Sequence, residues 1–295
     1  MKRYYHGNRK PGPWFEGWYF KCRTADEKAI ALIPAYHIGP HGQRSASLQV
    51  ISEAGTWWLE YPEKDFTASS VGFSIRVGEN RFSEEGLSVD LSRPGIELSG
   101  ELKFGPFLRL SSDIMGPFRW VPGMECSHGV ISMGHVLDGT LTLNGERLDF
   151  TGGNGYIETD RGRSFPDTYL WAQASFPGAA LMLSIASIPL PFLQFTGCIC
   201  SMILNGKEYR LATYRGVRVE RWTSEEAVIR QGRYRLEIKV EHTDPKPLRA
   251  PAKGSMERTI HESLKSVLRC RFWHGETLLF EGTDQAGSFE FSAPD

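Results

Sequence analysis

Short apolar segments separated by Gly, Pro, Asn and Ser occupy almost the whole chain. In FSIRV, LSVDLS and YRLEIKV, apolar and polar residues alternate, which is the pattern of a strand with one buried face. KAIALIPA and ALMLSIAS are almost continuously apolar and predict buried strands. Helical spacing occurs only in SMERTIHESLKSVL, where β-branched neighbours leave helix and strand both open. Many short strands with regular turn signals predict an all-β sandwich or barrel.

A weak internal repeat relates the two halves of the chain. Trp18 and Trp171 lie in similar aromatic segments, Tyr61 and Tyr214 close similar apolar segments, and both pairs are 153 residues apart. The matches 154 residues apart are Ile75, Arg76, Gly78 and Gly100 with Ile229, Arg230, Gly232 and Gly254. Duplicated β-units of this size predict two similar antiparallel barrels, at 1–150 and 151–295. Barrels of about eight strands have room for one small ligand.

One long stretch, 168–206, contains no Asp, Glu, Lys or Arg and raises the question of a membrane span. Prolines divide it into apolar pieces of about ten residues, whereas a spanning helix needs roughly 20. These prolines are Pro177, Pro189 and Pro191. The stretch therefore predicts two buried strands joined by the loop IPLPFLQF, Ile188 to Phe195. This apolar loop is the predicted place of peripheral contact with a membrane or an apolar ligand.

Charge and cysteine usage narrow the class of partner. The formal net charge is -1, so the chain has no overall field that attracts nucleic acid, and no basic tract indicates anionic lipid. The five cysteines include no pair at zinc-site or redox-motif spacing, which is typical of reduced thiols. The first residues lack the apolar core of a signal peptide. These features predict a cytoplasmic protein whose partner is a hydrophobic small molecule.

The motif GYIETDRGRSFPDTYLWAQ places five charges at the edge of the uncharged stretch. If GYIETD is a strand, Glu158 and Asp160 face the same side, where repulsion raises one pKa. A carboxyl held in an apolar site keeps its proton near neutral pH, so both residues are candidate catalytic acids. The alternative for Asp160, Arg161, Arg163 and Asp167 is a salt-bridged surface turn. We favour the turn for those four, which leaves Glu158 as the leading acid of the motif.

Glu16, in WFEGWYFK, is a second carboxyl placed among aromatic residues. On a strand it shares a face with Trp14, Trp18 and Phe20, whose ring faces stabilise a cation. This pattern makes Glu16 a further candidate catalytic acid. The structural alternative is equally open: the carboxylate accepts a hydrogen bond from a backbone donor or pairs with a Lys or Arg.

Several neighbouring residues are candidates for the walls of a substrate site. They are Trp18, Tyr19, Tyr156, Trp171, Gln173 and His135. Gln173 is suited to orient a phenolic hydroxyl or to satisfy a buried backbone group, and aromatic residues of this kind more often form the core. Asp138 and Gly139 predict a hairpin turn, because Asp-Gly favours the primed turn types. His37 and His41 have no carboxylate or Cys at ligand spacing, so we predict neither a metal nor a cofactor.

Three motifs resemble the tocopherol cyclase family: FEGWYFK, HVLDG, and GYIE followed by GRSFP and YLWAQ. Known members of that family close the chroman ring of vitamin E from a prenylated hydroquinone. The chain is more distantly similar to carotenoid hydratases and to lipocalin-like Diels-Alderases, which pair two lipocalin-like domains. The resemblance therefore implies two lipocalin-like antiparallel β-barrel domains. Departures from the family pattern occur at Thr159, Arg161, Ala174 and Ser175.

The resemblance also carries an expected activity. The motif retains Glu158, Gly162, Phe165, Pro166, Trp171 and Gln173, and Phe165 joins the candidate substrate-binding residues. A cyclase of this type needs no cofactor: Glu158 or Glu16 protonates an alkene, aromatic rings shield the cation, and a phenol oxygen captures it. The competing hypothesis, motivated by the departures, is a non-catalytic carrier of hydrophobic ligands. A third is a hydratase, in which water captures the cation.

Overall fold

The chain folds almost entirely into antiparallel strands. The computed structural model describes residues 4–121, 124–190 and 193–293, and these contain strands and short 3-10 turns but no α-helix. The strands form two large antiparallel sheets, in two lipocalin-like barrel-type domains, so the predicted fold class is confirmed. The segment SMERTIHESLKSVL is a strand, not a helix. The 3-10 turns are Gly7–Arg9, Glu63–Asp65, Gly116–Trp120 and Thr213–Arg215.

Unit 1 comprises Met1–Arg109, Cys126–Phe165 and Arg249–Thr259. Its 12-stranded sheet has the order β4-β3-β2-β1-β12-β10-β9-β8-β7-β6-β5, with β11 paired to β10. The strands are β1 (Trp14–Arg23), β2 (Ala29–Ile38), β3 (Arg44–Ser52), β4 (Gly55–Pro62), β5 (Phe66–Ala68), β6 (Ser74–Val77), β7 (Asn80–Ser83), β8 (Gly86–Arg93), β9 (Ile96–Phe104), β10 (Cys126–Leu143), β11 (Glu146–Asp149) and β12 (Asn154–Gly162). Alternate side chains of these strands, including Trp18, Phe20 and Ile157, form one hydrophobic core.

Unit 2 comprises Leu110–Glu125, Pro166–Leu248 and Ile260–Asp295. Its 10-stranded sheet has the order β16-β15-β14-β13-β22-β21-β19-β18-β17, with β20 paired to β21. The strands are β13 (Tyr169–Phe176), β14 (Ala179–Leu190), β15 (Leu193–Leu204), β16 (Lys207–Ala212), β17 (Arg218–Trp222), β18 (Glu226–Gln231), β19 (Tyr234–His242), β20 (Lys246–Ala252), β21 (Ser255–His274) and β22 (Thr277–Ser292). Its core includes Cys198 and Cys200, which share a strand face.

The two sheets repeat one topology. In each, four consecutive strands form a meander, β1 to β4 and β13 to β16, and the first strand pairs with the last, β12 or β22. Core pairs correspond at 152 residues: Leu48 lies opposite Leu59, and Cys200 lies opposite Leu211. The units are discontinuous in sequence, and residues 249–259, from β20 and β21, are grouped with unit 1. The division into two continuous domains, 1–150 and 151–295, stays a prediction.

The matches found in the sequence are of two kinds. Gly78 and Gly232, 154 residues apart, close equivalent hairpin turns with φ of 59° and 57°. By contrast, Trp18 belongs to the core of unit 1, whereas Trp171 lies between the core residues Leu170 and Ala172 and faces the other side of its sheet. Matching those tryptophans was wrong, because an odd shift along a strand exchanges its two faces.

Asp138 and Gly139 lie inside β10, opposite Lys103 and Leu102, so the predicted hairpin turn is wrong there. Gly139 has a positive φ of 125°, which favours glycine at this position. In β10 the glycine instead permits close approach of two backbones: a Cβ at this position would lie 2.3 Å from the carbonyl oxygen of Glu101. Glycine is therefore required at position 139 by the close approach of β9 and β10, and not by a turn.

Replacing Gly139 with Val is expected to lower the free energy of unfolding by about 1–3 kcal/mol, because the backbone of β9 must move and φ becomes strained. Asp138→Ser is the control: the side chain is exposed, and the expected change is within about 0.5 kcal/mol. Urea denaturation of both variants measures the difference. Equal stability of Gly139→Val and wild type would show that the backbones do not approach so closely.

The uncharged stretch forms β13 and the two predicted strands, β14 and β15. The predicted loop 188–195 is wrong in its bounds, because the strands continue into it and Ile188 pairs with Phe195, Pro189 with Gln194 and Leu190 with Leu193. Part of the predicted membrane-contact loop, residues 191–192, lies outside the described residues. In the part of the chain that is described, no helix has the length and apolar character needed to cross a membrane. Peripheral contact through 188–195 stays a prediction.

Candidate functional site

The central strand of unit 1, β12, has two chemically different sides. Ile157 packs into the core. Tyr156, Glu158 and Asp160 lie on the opposite side, which we call the polar face. Glu158 is only 5% exposed although it does not face the core. The strand is therefore buried on both sides, and one of its buried sides carries acids.

His128 of β10 lies between two carboxyl groups on the polar face. Its Nδ1 is 3.0 Å from Oδ1 of Asp160, and its Nε2 is 3.3 Å from Oε2 of Glu158. The Tyr156 hydroxyl donates to the same Glu158 oxygen at 2.5 Å, and the Cys126 thiol donates to Asp160 at 3.4 Å. These contacts join five side chains that hold or transfer protons.

The environment favours the protonated forms in this cluster. Burial raises the pKa of Glu158, and the opposing charge of His128 only partly offsets this. Burial by itself lowers the pKa of His128, but the carboxylates of Asp160 and Glu158 outweigh it and raise that pKa well above its usual value. Burial, reinforced by Glu158, also raises the pKa of Tyr156. These shifts favour a protonated, cationic His128 between the two acids, and they let the Glu158 carboxyl keep its proton to a higher pH than a free glutamate does.

This cluster predicts a stability that falls as pH rises. Because the pKa of His128 is higher in the folded state, its contribution is full below the unfolded value of about 6.5 and is lost as pH rises through the folded value. Urea unfolding between about pH 6 and pH 9 measures the slope. We expect His128→Gln to have a shallower slope, and His41→Gln, at an exposed turn, to keep that of wild type. Equal slopes in all three proteins would contradict the assignment.

The same groups have the geometry of a possible cation site. One donor atom from each of His128, Glu158 and Asp160 lies within 4.8 Å of the others, and an imidazole with two carboxylates suits several divalent metals. Histidine binds a metal ion only when its ring is neutral, however, so a cation would have to displace a proton from His128, whose pKa its acidic neighbours raise. We therefore assign a proton to this position, and the absence of a bound metal stays a prediction.

Glu16 lies on the other side of the sheet from Glu158. It is fully buried, and its register partner on β12 is Arg161. Its carboxylate accepts the backbone N–H of His6 at 2.8 Å and lies 2.7 Å from Nδ1 of the same residue. The two candidate acids therefore do not meet. The contacts of Glu16 match its structural alternative, and a catalytic role for it stays a prediction.

Tyr19 and Phe165 are on the polar face with Glu158. Tyr19 lies directly opposite Glu158 in the β1–β12 register. Phe165 packs edge-on against Phe15, with ring centroids 5.4 Å apart. Trp18, which is 1% exposed, points into the core instead. The structure therefore brings two of these three aromatic candidates to the acid side of the sheet.

His135 lies on the core side of β10. Its ring contacts Phe104 and Phe107 at centroid distances of 4.7 and 4.8 Å, and its Nδ1 is 3.0 Å from the Ser132 hydroxyl. Burial lowers the pKa of His135 to about 3, so the ring is neutral. These contacts are typical of a histidine with a structural role. A contact between His135 and a substrate stays a prediction.

Trp171 and Gln173 belong to unit 2, on the side of β13 that faces away from its core. Both are buried, at 6% and 2% exposure. Trp171 lies opposite Glu290 in the sheet, and Gln173 donates to the hydroxyl of Ser175 at 3.1 Å. Their substrate-binding roles stay predictions.

The charged motif is not the surface turn that its composition indicated. Asp160 and Arg161 lie within β12, where pairing to both neighbouring strands continues through Gly162. Only Arg163 and Asp167 lie in bends beyond the strand. Strand pairing on both edges removes the freedom that a turn requires.

The histidine that completes the site carried only a weak signal in the sequence. In the sequence, His128 is a lone histidine that is able to transfer protons but has no motif around it. Its partner Asp160 is 32 residues away, and the contact exists only because β10 pairs with β12. The alternation of β10 predicts which residues share a side with His128, but it does not identify the strand that lies beside them.

No protein-family model and no curated protein matches the chain. Similar solved structures include CghA with Sch210972 (TM-score 0.60, 12% identity, 99% of this chain and 97% of that one). Kievitone hydratase from Nectria haematococca is similar at a TM-score of 0.54 and 10% identity, over 96% and 90% of the two chains. An AttH candidate from Nitrosomonas europaea matches at 0.56 and 12%, over 94% and 91%. These likenesses establish the fold, and the narrower resemblance to tocopherol cyclases stays a prediction.

Proposed function

We propose that the chain is an enzyme that adds an oxygen nucleophile across an alkene of an isoprenoid, with Glu158 as the proton donor. The observation that carries this proposal is the buried Glu158 carboxyl, which contacts both Tyr156 and His128. Protonation of carbon needs a general acid that still holds its proton when the substrate binds, and burial provides this by raising the pKa of a carboxyl.

The chemistry is balanced without a cofactor. Glu158 gives its proton to the less substituted alkene carbon, and the π electrons form the new C–H bond and leave a tertiary cation. Tyr19 and Tyr156 are neighbours of Glu158, and their aromatic rings stabilise this cation better than bulk water would. A hydroxyl oxygen then bonds to the cation and releases its proton. The Glu158 carboxylate recovers that proton, and the ion pair of His128 and Asp160 keeps the site neutral overall.

Cyclisation of a prenylated hydroquinone is the leading version of this reaction, because it agrees with the motif resemblance. The departures from the family motif on β12 do not lie beside the acid. Thr159 is the register partner of Trp18, and Arg161 that of Glu16, so both alternate with Glu158 on the core side. Thr159 donates to the backbone carbonyl of Gly17 at 2.8 Å. The acid and its polar partners are therefore intact despite the departures.

Hydration is the second candidate, since kievitone hydratase has the same fold and its name describes addition of water. The two reactions share the protonation step and differ only in the nucleophile. The carrier hypothesis differs from both because it needs no proton donor.

The test is to incubate the purified chain with hydroquinones carrying one to four prenyl units and to analyse products by mass spectrometry. Cyclisation leaves the mass unchanged and gives a chroman with a new retention time, whereas hydration adds the mass of one water. Incubation in the presence of EDTA is expected to leave the rate unchanged, because the proposed acid is a carboxyl. A folded protein that binds these compounds and converts none of them supports the carrier and rejects the proposal.

A further inference from the structure

The two ring nitrogens of His128 differ in how their hydrogen-bonding capacity is used. Nδ1 lies 3.0 Å from Oδ1 of Asp160, an oxygen that also accepts the thiol hydrogen of Cys126. A carboxylate only accepts hydrogen bonds, so Nδ1 carries a hydrogen and the orientation of the ring is fixed. Nε2 is buried and has no hydrogen-bond partner among the residues that the structure describes, although it comes within 3.3 Å of Glu158 Oε2. Asp160 therefore holds the ring and leaves Nε2 available.

The available nitrogen is a hydrogen-bond donor beside the proposed acid. Burial by itself lowers the pKa of His128, but the carboxylates of Asp160 and Glu158 raise that pKa well above its usual value, so Nε2 also carries a hydrogen. Buried polar atoms nearly always have a partner, which is either a protein group or a molecule from outside the chain. Since the described residues supply none for this N–H, it points to a bound oxygen atom with a free lone pair.

The polar face opens toward solvent at the His128 end of the cluster. The exposed fraction of the side chain rises from 7% for Glu158 to 10% for His128 and 22% for Asp160. Pairing of β10 with β9 begins only at Leu137, so the described strands leave this part of β10 paired to β12 alone. A hydroxyl or a water molecule therefore has a route to Nε2 from the Asp160 end.

We propose that the N–H of His128 Nε2 holds the oxygen nucleophile of the reaction, and that proton and oxygen are added to the same face of the alkene. This inference rests on the proposed function, in which Glu158 protonates the alkene. The oxygen accepts the hydrogen bond through one lone pair and attacks the tertiary cation with the other. Its own proton passes to the Glu158 carboxylate. His128 keeps its hydrogens throughout, so atoms and charges balance without a further reactant.

The spacing of the two groups requires addition on one face. An oxygen hydrogen-bonded to Nε2 is about 2.9 Å from it, which places that oxygen within about 6 Å of Glu158 Oε2. Carbon makes non-bonded contacts at about 3.5–4.0 Å, so an alkene lying between the acid and the oxygen would hold them at least about 7 Å apart. The alkene therefore lies over both groups and receives both atoms on the same side.

The wild-type protein tests this inference directly. A hydroquinone with two prenyl units, whose double bond nearest the ring is E, is converted in heavy water, so that one deuterium enters beside the new C–O carbon. NMR spectroscopy of the product gives the relative configuration of these two carbons, and its mass shows whether the oxygen came from the phenol or from water. We expect syn addition. Anti addition, or a mixture, overturns the role of His128 and leaves the proposed function standing, whereas a folded protein without product rejects both.

His128→Phe tests the same role through the fate of the cation. It keeps a ring without a donor, so the cation returns a proton to Glu158 before capture, and substrate is recovered with deuterium. We expect the ratio of oxygen addition to deuterium exchange to fall about tenfold or more. Damage to the acid alone lowers both rates and leaves this ratio unchanged.

His41→Gln, at an exposed turn, is the control and keeps the wild-type ratio of addition to exchange. Circular dichroism shows whether His128→Phe is folded, and the wild-type ratio in a folded variant overturns the proposal. If His128→Phe does not fold, the configuration of the wild-type product decides.

Discussion

Glu158→Gln is expected to reduce turnover by about 100- to 10,000-fold while ligand binding stays close to that of wild type. Glutamine has nearly the same shape, and its amide oxygen still accepts the Tyr156 hydroxyl, so the strand and its contacts remain. It has no acidic proton, however, and no other carboxyl of the polar face is buried to the same degree. Single-turnover product formation with a prenylated hydroquinone, together with fluorescence binding, separates loss of chemistry from loss of affinity.

Glu16→Gln is the matched comparison, because it removes a buried carboxyl from the other side of the same pair of strands. We expect this variant to turn over substrate at close to the wild-type rate and to lose some thermal stability through its contacts with His6. The reverse pattern, an active Glu158→Gln and a folded but inactive Glu16→Gln, would transfer the role of acid to Glu16.

Arg210→Met is expected to lower the free energy of unfolding by about 3–5 kcal/mol, the usual cost of removing one member of a buried ion pair. Arg210 is 5% exposed and pairs with Glu208 on the same strand, β16. Its guanidinium also donates to the backbone carbonyls of Ser112 and Asp113 at 3.1 and 3.0 Å. Without it, these carbonyls lose their side-chain donor, and the Glu208 carboxylate loses its positive partner and keeps the backbone N–H of Ser111. The segment Leu110–Glu125 therefore loses part of its attachment within unit 2.

Thermal and urea unfolding measure this effect, and limited proteolysis reports release of Leu110–Glu125. Arg218→Met is the control, since Arg218 is exposed on β17 and its replacement is expected to change stability by less than about 0.5 kcal/mol. If Arg210→Met and Arg218→Met had equal stability and equal resistance to protease, Arg210 would not be what holds the segment.

The strands could be predicted from the sequence because alternation of apolar and polar residues is a property of a short segment. A segment such as YRLEIKV alternates whatever lies beside it, and β19 forms there. Asp-Gly at 138–139 shows the limit of such signals: it predicted a hairpin turn, but both residues lie inside β10, where the backbone of Gly139 closely approaches Glu101 of another strand. The residue types along a segment indicate its backbone conformation, but the neighbouring strands decide where in the fold that conformation occurs.

The candidate site divides in the same way. That Glu158 and Asp160 share a side follows from their spacing and from β12 being a strand. That Glu16 shares a side with Trp18 follows equally. Which of these sides would be the core was not predictable, because both sides of β1 and β12 include buried residues and both mix charged with apolar residues in the sequence. Only the packing of Trp18 and Ile157 into one cluster separates Glu16 from Glu158.

The sequence by itself determined the strands, the repeated unit and the pairs of residues that share a face, because alternation along a strand is a property of the chain alone. Tertiary structure decided the pairing of β10 with β12, which brings His128 to Asp160, and the pairing of β1 with β12, which places Tyr19 beside Glu158. Register between strands far apart in sequence depends on the packing of the whole sheet. For that reason the acid was visible in the sequence, but its proton-holding partner was not.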